Sequence, residues 1–220
     1  MKQLTIKELM SSGVHFGHQV KRWNPKMAPY IYTVSNGSHI IDLDKTLIML
    51  DEAVDFLKKK KETGKILFVG TKEQIQDIVA EKAQISGDYY INKRWPGGLL
   101  TNFKTVSLSL KKMDEYEKIL AEGDTDRTKL ELMLIAKEKA KLDLLYQGIR
   151  GFNGKPAALF VIDVKHEIVA MKEALKLGIP VVALVDTNAD PTIVDYPIPG
   201  NDDAIKSVNM ILDYVVENIK

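Results

Sequence analysis

The chain has 220 residues, of which 31 are Lys or Arg and 30 are Asp or Glu, so its formal net charge is +1. That balance excludes a polycationic nucleic-acid glue and an acidic disordered tail, while a 45% hydrophobic fraction supplies one large domain, or one domain with an insertion. Cysteine is absent, which removes disulfides, thiolate nucleophiles, Cys-based zinc sites and iron–sulfur clusters, and points to a reducing, cytoplasmic setting.

The N-terminal stretch Met1–Glu8 has no long apolar run and carries an acid early, so it reads as neither a secretory signal nor a transit peptide. No segment approaches the ~18 apolar residues of a membrane span. His15-Phe16-Gly17-His18 is an H-x-x-H without the glutamate of the metalloprotease motif. Ser35-Asn36-Gly37-Ser38 between Ile31–Val34 and His39–Ile41 is a hairpin signal. Asp44 is placed to cap a helix through Leu47, Leu50, Val54 and Leu57, which ends in the run Lys58–Lys61. Lys65–Gly70 reads as a buried strand, Lys72–Ile85 as a helix and Asp88–Ile91 as a second strand.

From Thr101 to Arg150 the pattern changes. Phe103, Val106, Leu110, Met113, Glu117 and Leu120 keep a heptad spacing, and so do Leu132, Ile135, Lys139, Leu142, Tyr146 and Ile149. Between the two runs lie the polar turn Glu122–Asp126 and the capping box Thr128–Glu131. This predicts an antiparallel coiled-coil hairpin, each arm roughly 30 Å long at ~1.5 Å per residue. Glu117 and Lys139, the charged seam residues, are expected to face one another and set the register. Beyond the insertion, Ala157–Ile162, Pro180–Val185 and the weaker Ile193–Ile198 read as strands. Ile168–Leu177 reads as a helix, and Asp202 or Asp203 is placed to cap a last helix through Val215.

Strands apolar on both faces, separated by helices, predict a three-layer doubly wound α/β fold with a parallel sheet. The globular domain spans 1–100 and 151–220, with an N-terminal hairpin at about 30–43, and residues 101–150 form the inserted helical hairpin.

Two loops carry the clearest chemistry. Lys21-Arg22-Trp23-Asn24-Pro25-Lys26 and Asn92-Lys93-Arg94-Trp95-Pro96-Gly97-Gly98 each set a tryptophan directly after an arginine. Arg and Lys bind phosphate, and Trp stacks on a base or ribose. Gly97 and Gly98 allow close backbone approach, Thr101 and Asn102 begin a helix whose free N–H groups suit an anion, and Lys104 follows. The competing reading has each Trp plugging the core while its Arg merely faces solvent. Phe68-Val69-Gly70-Thr71-Lys72 lacks both phosphate-loop fingerprints and reads as an ordinary βα turn. Lys165-His166-Glu167 reads as the polar first turn of its helix. His18 with Asp186 and Asp190 could hold a divalent cation, Asp195, Asp202 and Asp203 lying close in sequence. A cluster of caps and turns is the alternative.

Several long segments, in order along the whole chain, resemble the bacterial small-subunit ribosomal protein S2 family. They are Gly13–His18, Arg22–Met27, Ile40–Leu43, Phe68–Lys72, Arg94–Asn102, Ile179–Asn188 and Tyr196–Ala204. Many members carry a charged tail beyond the last helix, whereas this sequence ends at Lys220. The resemblance implies a five-stranded parallel sheet of flavodoxin-like order with a protruding coiled-coil hairpin. It implies a structural, non-enzymatic constituent of the cytoplasmic ribosome that binds small-subunit ribosomal RNA on the solvent side, where head meets body. Such proteins dock late in assembly. Their partners include the large OB-fold ribosomal protein that captures messenger RNA, which supports initiation. No cofactor is required, and neither a membrane nor a small-molecule substrate is implied. Two other readings compete: a doubly wound enzyme would need a phosphate loop with a paired acid and base, and a protein-only adaptor would leave both basic loops without a role.

Overall fold

The computed structural model describes residues 4–122 and 127–220. Parallel strands β4 (Ile66–Val69), β5 (Tyr89–Ile91), β6 (Ala158–Ile162), β7 (Val181–Val185) and β8 (Tyr196–Pro199) form one sheet in the order β5-β4-β6-β7-β8. The chain order of the strands is therefore second, first, third, fourth, fifth, the flavodoxin-like arrangement.

Every residue of β4, β6 and β7 is buried, because the sheet is covered on both faces. Phe68, Phe160, Val182 and Leu184 point to one side, where α2 (Leu43–Lys61), α3 (Gln76–Ser86) and α7 (Ile205–Ile219) supply Leu50, Leu57, Val79, Ile211 and Val215. Leu67, Val69, Val161 and Ala183 point to the other, against Ala170, Met171 and Ala174 of α6 (Ile168–Leu177). That second core also takes Val106, Leu110 and Met113 from the start of α4 (Phe103–Glu122). Gly178 ends α6 in the left-handed region at φ 63°, as glycine does without strain.

A small antiparallel sheet lies N-terminal to this unit. The Asn36-Gly37 hairpin joins β2 (Ile31–Ser35) and β3 (Ser38–Ile41), with positive φ at both turn residues. Helix α1 (Ile6–Ser11) and strand β1 (Phe16–Gln19) carried no distinct sequence signal, and β1 pairs with the other edge of β3. It is short and irregular, with a register shift between Phe16 and Gln19, so no clean alternation marks it.

Two caps differ from expectation. Asp42 caps α2, its carboxylate accepting from the Asp44 N–H. Ala204 occupies the N-cap of α7, and Asn201 accepts from the Asp203 and Ala204 N–H groups, which leaves Asp202 and Asp203 for other partners.

Helix α4 packs against α5 (Lys129–Tyr146), which starts with the Thr128–Glu131 capping box. The polar turn at 123–126 lies outside the described residues. On α5 the heptad positions Leu132, Ile135, Lys139, Leu142 and Tyr146 are half-buried. The expected Glu117–Lys139 pair does not form. Glu117 instead receives Arg150 at 2.6 Å, and Lys139 donates to Asp143 one turn along its own helix at 2.6 Å. Arg150 also lies 3.3 Å from Asp143, so one guanidinium contacts an acid on each arm.

Candidate nucleic-acid interface at the carboxyl end of the sheet

Both basic loops are brought to the carboxyl end of the parallel strands. The first is tied to the loop after β7, where the Asn24 N–H donates to the Thr187 carbonyl at 2.7 Å and Lys26 Nζ lies 2.6 Å from Asp190. Asn24 also accepts from the Lys26 N–H at 3.0 Å. Lys21 and Arg22 are exposed, and Trp23 keeps 37% of its surface exposed, with its ring centroid 4.9 Å from that of buried His39.

The second loop follows β5 and is organised by a residue that the sequence did not reveal. Glu173 sits on the inner face of α6, only 8% exposed. One carboxylate oxygen accepts from Trp95 Nε1 at 3.0 Å and the Gly98 N–H at 2.8 Å. The other accepts at 3.0 Å from the Leu100 N–H, the Thr101 N–H and the Thr101 hydroxyl. Burial works to raise this carboxyl, but the Trp95, Thr101, Gly98 and Leu100 donors outweigh it and hold the group below the usual carboxylate range.

Those contacts correct the roles assigned by pattern. Trp95 is buried at 8% exposure with its N–H spent on Glu173, so it offers no ring face for stacking. The Gly98 and Thr101 N–H groups face inward to Glu173 rather than outward to an anion. Gly98 takes φ 83°, which a glycine accommodates freely at this bend. Gly97 and Asn102 are not buried, and Asn102 is within reach of the Thr105 hydroxyl at 3.3 Å. Lys93 is half-buried and donates to Gln76 at 2.7 Å, whereas Arg94 and Lys104 are exposed. Arg94, His166 and Thr71 line a cleft of about 460 Å³.

Between the loops lies a charged cluster. Lys72 Nζ is 2.6 Å from Asp163, 2.8 Å from Asp202 and 2.6 Å from Asp203. Burial opposes the Lys72 charge, but Asp202, Asp163 and Asp203 outweigh it and raise its pKa well above the ordinary lysine value. Asp202 is fully buried and is pushed upward by burial first and then by the charges of Asp186 and Asp163. The βα turn after β4 therefore contains an internal ion cluster in place of a phosphate loop. Glu167 is also buried rather than part of a polar first turn. It accepts from the Thr71 N–H at 2.7 Å, while Asp163 holds the Lys165 and His166 N–H groups.

His18 meets this cluster from the other side. Its Nδ1 is 3.1 Å from Asp186 and its Nε2 is 3.3 Å from Asp203 and 3.0 Å from the Asn188 amide nitrogen. The hydrogen bond with Asp186 raises the imidazole pKa, burial pulls it partly back, and the charges of Asp186, Asp203 and Asp202 add to the rise. Donor atoms of His18, Asp186 and Asp203 lie within 4.8 Å of one another. The expected trio is corrected at one position. Asp190 is engaged with Lys26 and caps the turn at Thr192, and Asp203 stands in its place. One imidazole and two carboxylates make a donor set that suits a divalent cation.

Among the described residues no helix is long and apolar enough to cross a membrane. Residues 9–220 match the family described as Ribosomal protein S2. The chain is 51% identical, over its full length and 76% of the relative, to "Small ribosomal subunit protein uS2" of Ehrlichia chaffeensis. A protein of the same description from Fusobacterium nucleatum subsp. nucleatum is 51% identical over the whole chain and 90% of the relative. That of Ehrlichia canis is 50% identical over the whole chain and 76% of the relative.

Replacing Glu173 with Gln removes the charge and turns one acceptor into a donor facing donors, at an expected cost of about 3 kcal/mol. Urea denaturation at pH 7 measures it, and an unchanged midpoint contradicts the assigned role. Because the folded pKa is depressed, the stability that Glu173 contributes is present above the unfolded pKa of about 4.3 and is lost as pH falls through the folded value. The gap between wild type and E173Q should therefore narrow in acid.

Proposed function

Since the chain belongs to the ribosomal protein S2 family, we propose that it serves as a structural, non-enzymatic constituent of the small ribosomal subunit, docking on ribosomal RNA through the loops at the carboxyl end of its sheet. The observation that carries the reading is the set of exposed cations on those loops. Lys21, Arg22, Arg94 and Lys104 form no ion pair among the described residues, whereas Lys26 and Lys72 are already committed to carboxylates. An exposed, unneutralised arginine beside a folded loop is the chemistry that phosphate contacts require. Trp23 supplies a partly exposed ring on the same side.

A net charge of +1 suits a limited RNA footprint combined with protein contacts. The helical arms over 101–150 supply a surface for the latter, with Leu108, Leu130, Met133 and Leu134 each more than half exposed. The family resemblance adds the finer reading: attachment on the solvent side at the head–body junction, late entry into assembly, and support for the OB-fold ribosomal protein that captures messenger RNA, all in the cytoplasm. No cofactor is needed for these roles. A divalent ion held by His18, Asp186 and Asp203 would supply positive charge to an acidic cluster and fix the β1 loop against the β7 end.

Arg22→Ala and Arg94→Ala should each lower occupancy in small subunits purified from cells expressing the variant. Each should reduce the salt slope of RNA binding by about 0.7–0.9 for every phosphate that the arginine neutralises. Undiminished occupancy and an unchanged slope in both variants oppose the reading. His18→Ala should weaken Zn²⁺ binding measured calorimetrically by at least about tenfold, and Asp190→Ala should leave it unaltered. Proton competition should weaken the wild-type affinity as pH falls below the raised His18 pKa. Equal Zn²⁺ affinity for wild type and His18→Ala rules this seat out.

A further inference from the structure

The opposite, amino end of the sheet holds a cleft of about 390 Å³ that none of the predicted site residues reaches. It is built where strands begin. In the sheet order the residues Tyr89, Lys65, Ala157 and Pro180 stand side by side at or just before the starts of β5, β4, β6 and β7. With strands about 4.8 Å apart, that row runs about 14 Å, longer than a single phosphate group.

Three lysines, Lys60, Lys65 and Lys155, come to this cleft from three separate segments, and its lining contains no carboxylate. Lys60 comes from the end of α2, Lys65 from the turn into β4 and Lys155 from the loop before β6. None of the three is ion-paired among the described residues. Their neighbours are treated differently. Lys61 is drawn inward, 2.7 Å from buried Asp88, whose other oxygen accepts from the Ile66 N–H at 3.0 Å. Lys65 instead lies over the Tyr89 ring, 4.9 Å from its centroid. A ring face steadies an ammonium without neutralising it. The Tyr89 hydroxyl donates to the Gly151 carbonyl at 2.9 Å, which fixes the ring in place.

At the carboxyl end Asp163, Asp202 and Asp203 surround Lys72, whereas the cleft at the amino end is lined by three lysines and no carboxylate. The Lys60 ammonium likewise lies over a ring, 5.5 Å from the Phe56 centroid. Three lysines lining one cleft repel one another unless an anion enters, and a concave wall concentrates their field. We propose that this cleft is a second docking site for the phosphodiester backbone of RNA, so that the small-subunit RNA grips the sheet at both ends. The proposal rests on the RNA-binding reading above and extends it to residues outside both tryptophan loops. The length of the row and the origin of the cations in three segments favour a chain of phosphates over one small anion.

The test compares the full-length wild type, the triple variant Lys60→Gln/Lys65→Gln/Lys155→Gln and the single variant Lys155→Glu. Lys155 is exposed with no ion-pair partner among the described residues, so that variant leaves the packing untouched. Each is titrated with RNA extracted from purified small subunits across a KCl series. The expected result is a salt slope lower by about 2 in the triple variant and an affinity at least about tenfold weaker. Lys155→Glu should show a smaller loss in the same direction. If the wild type binds and both variants match it in affinity and slope, the cleft proposal falls while the loop-borne reading stands. If the wild type itself binds no RNA, both fall. In a second arm, inorganic phosphate is titrated while the amide signals of Gly64 and Gly178 are followed. Phosphate that shifts these signals at submillimolar concentration, with RNA binding unaffected in the variants, reassigns the cleft to a free anion and overturns the proposal.

Discussion

The constraint on which everything else depends is a parallel sheet buried on both faces. Side chains of β4, β6 and β7 face one apolar core or the other, so the strands leave no exposed face on which chemistry could be built. Polar groups are driven to the two ends, where backbone turns and helix termini need partners anyway. The Lys72 cluster, the His18 contacts and the Glu173 anchor are three outcomes of that displacement at the carboxyl end. The Lys61–Asp88 pair and the open lysine cleft are two at the amino end.

Glu173 illustrates how a buried charge can serve shape. A carboxylate inside a core is costly unless its oxygens are satisfied. Five donors from one loop meet that need, and in doing so the loop is folded around the acid. Trp95 is drawn inward, and Arg94, the residue immediately before it, remains outside. The Arg-Trp pairing in this loop is thus a division of labour between interior and surface. In the other loop the division is weaker, since Trp23 stays partly exposed over His39.

Much of the fold was legible because the signals were local. Continuous apolar runs marked β4, β6 and β7, heptad spacing marked α4 and α5, and Asn36-Gly37 marked the hairpin. The weaker run read as Ile193–Ile198 is displaced, because Pro191–Ile193 forms a 3-10 turn and β8 spans Tyr196–Pro199. What escaped was set by tertiary pairing. Strand β1 exists because β3 offers it an edge, and Phe16–Gln19 has no alternation of its own. Asp202 and Asp203 are drawn to Lys72 instead of capping the last helix, whose N-cap is Ala204. The seam pair is absent because its members have other partners: Glu117 meets Arg150, outside both heptad runs, and Lys139 meets Asp143 on its own helix. In the site, clusters of cations and aromatics were visible as composition, but which of them face outward was not. Glu173 had no motif, being one acid in the helix Ile168–Leu177, and only the structure shows that its side faces the loop. Asp203 in place of Asp190 follows from the same limit, since proximity in sequence does not say which carboxylate reaches the imidazole.

We propose that phosphate contacts, made by cations that its own fold leaves unpaired, hold this protein in the small ribosomal subunit. Sucrose-gradient sedimentation of a lysate carrying the tagged full-length chain, run at low and at high salt, distinguishes the outcomes. Co-migration with the small subunit at low salt and partial release at high salt are expected, because counterions compete for the phosphates. A free, slowly sedimenting protein under both conditions would contradict it.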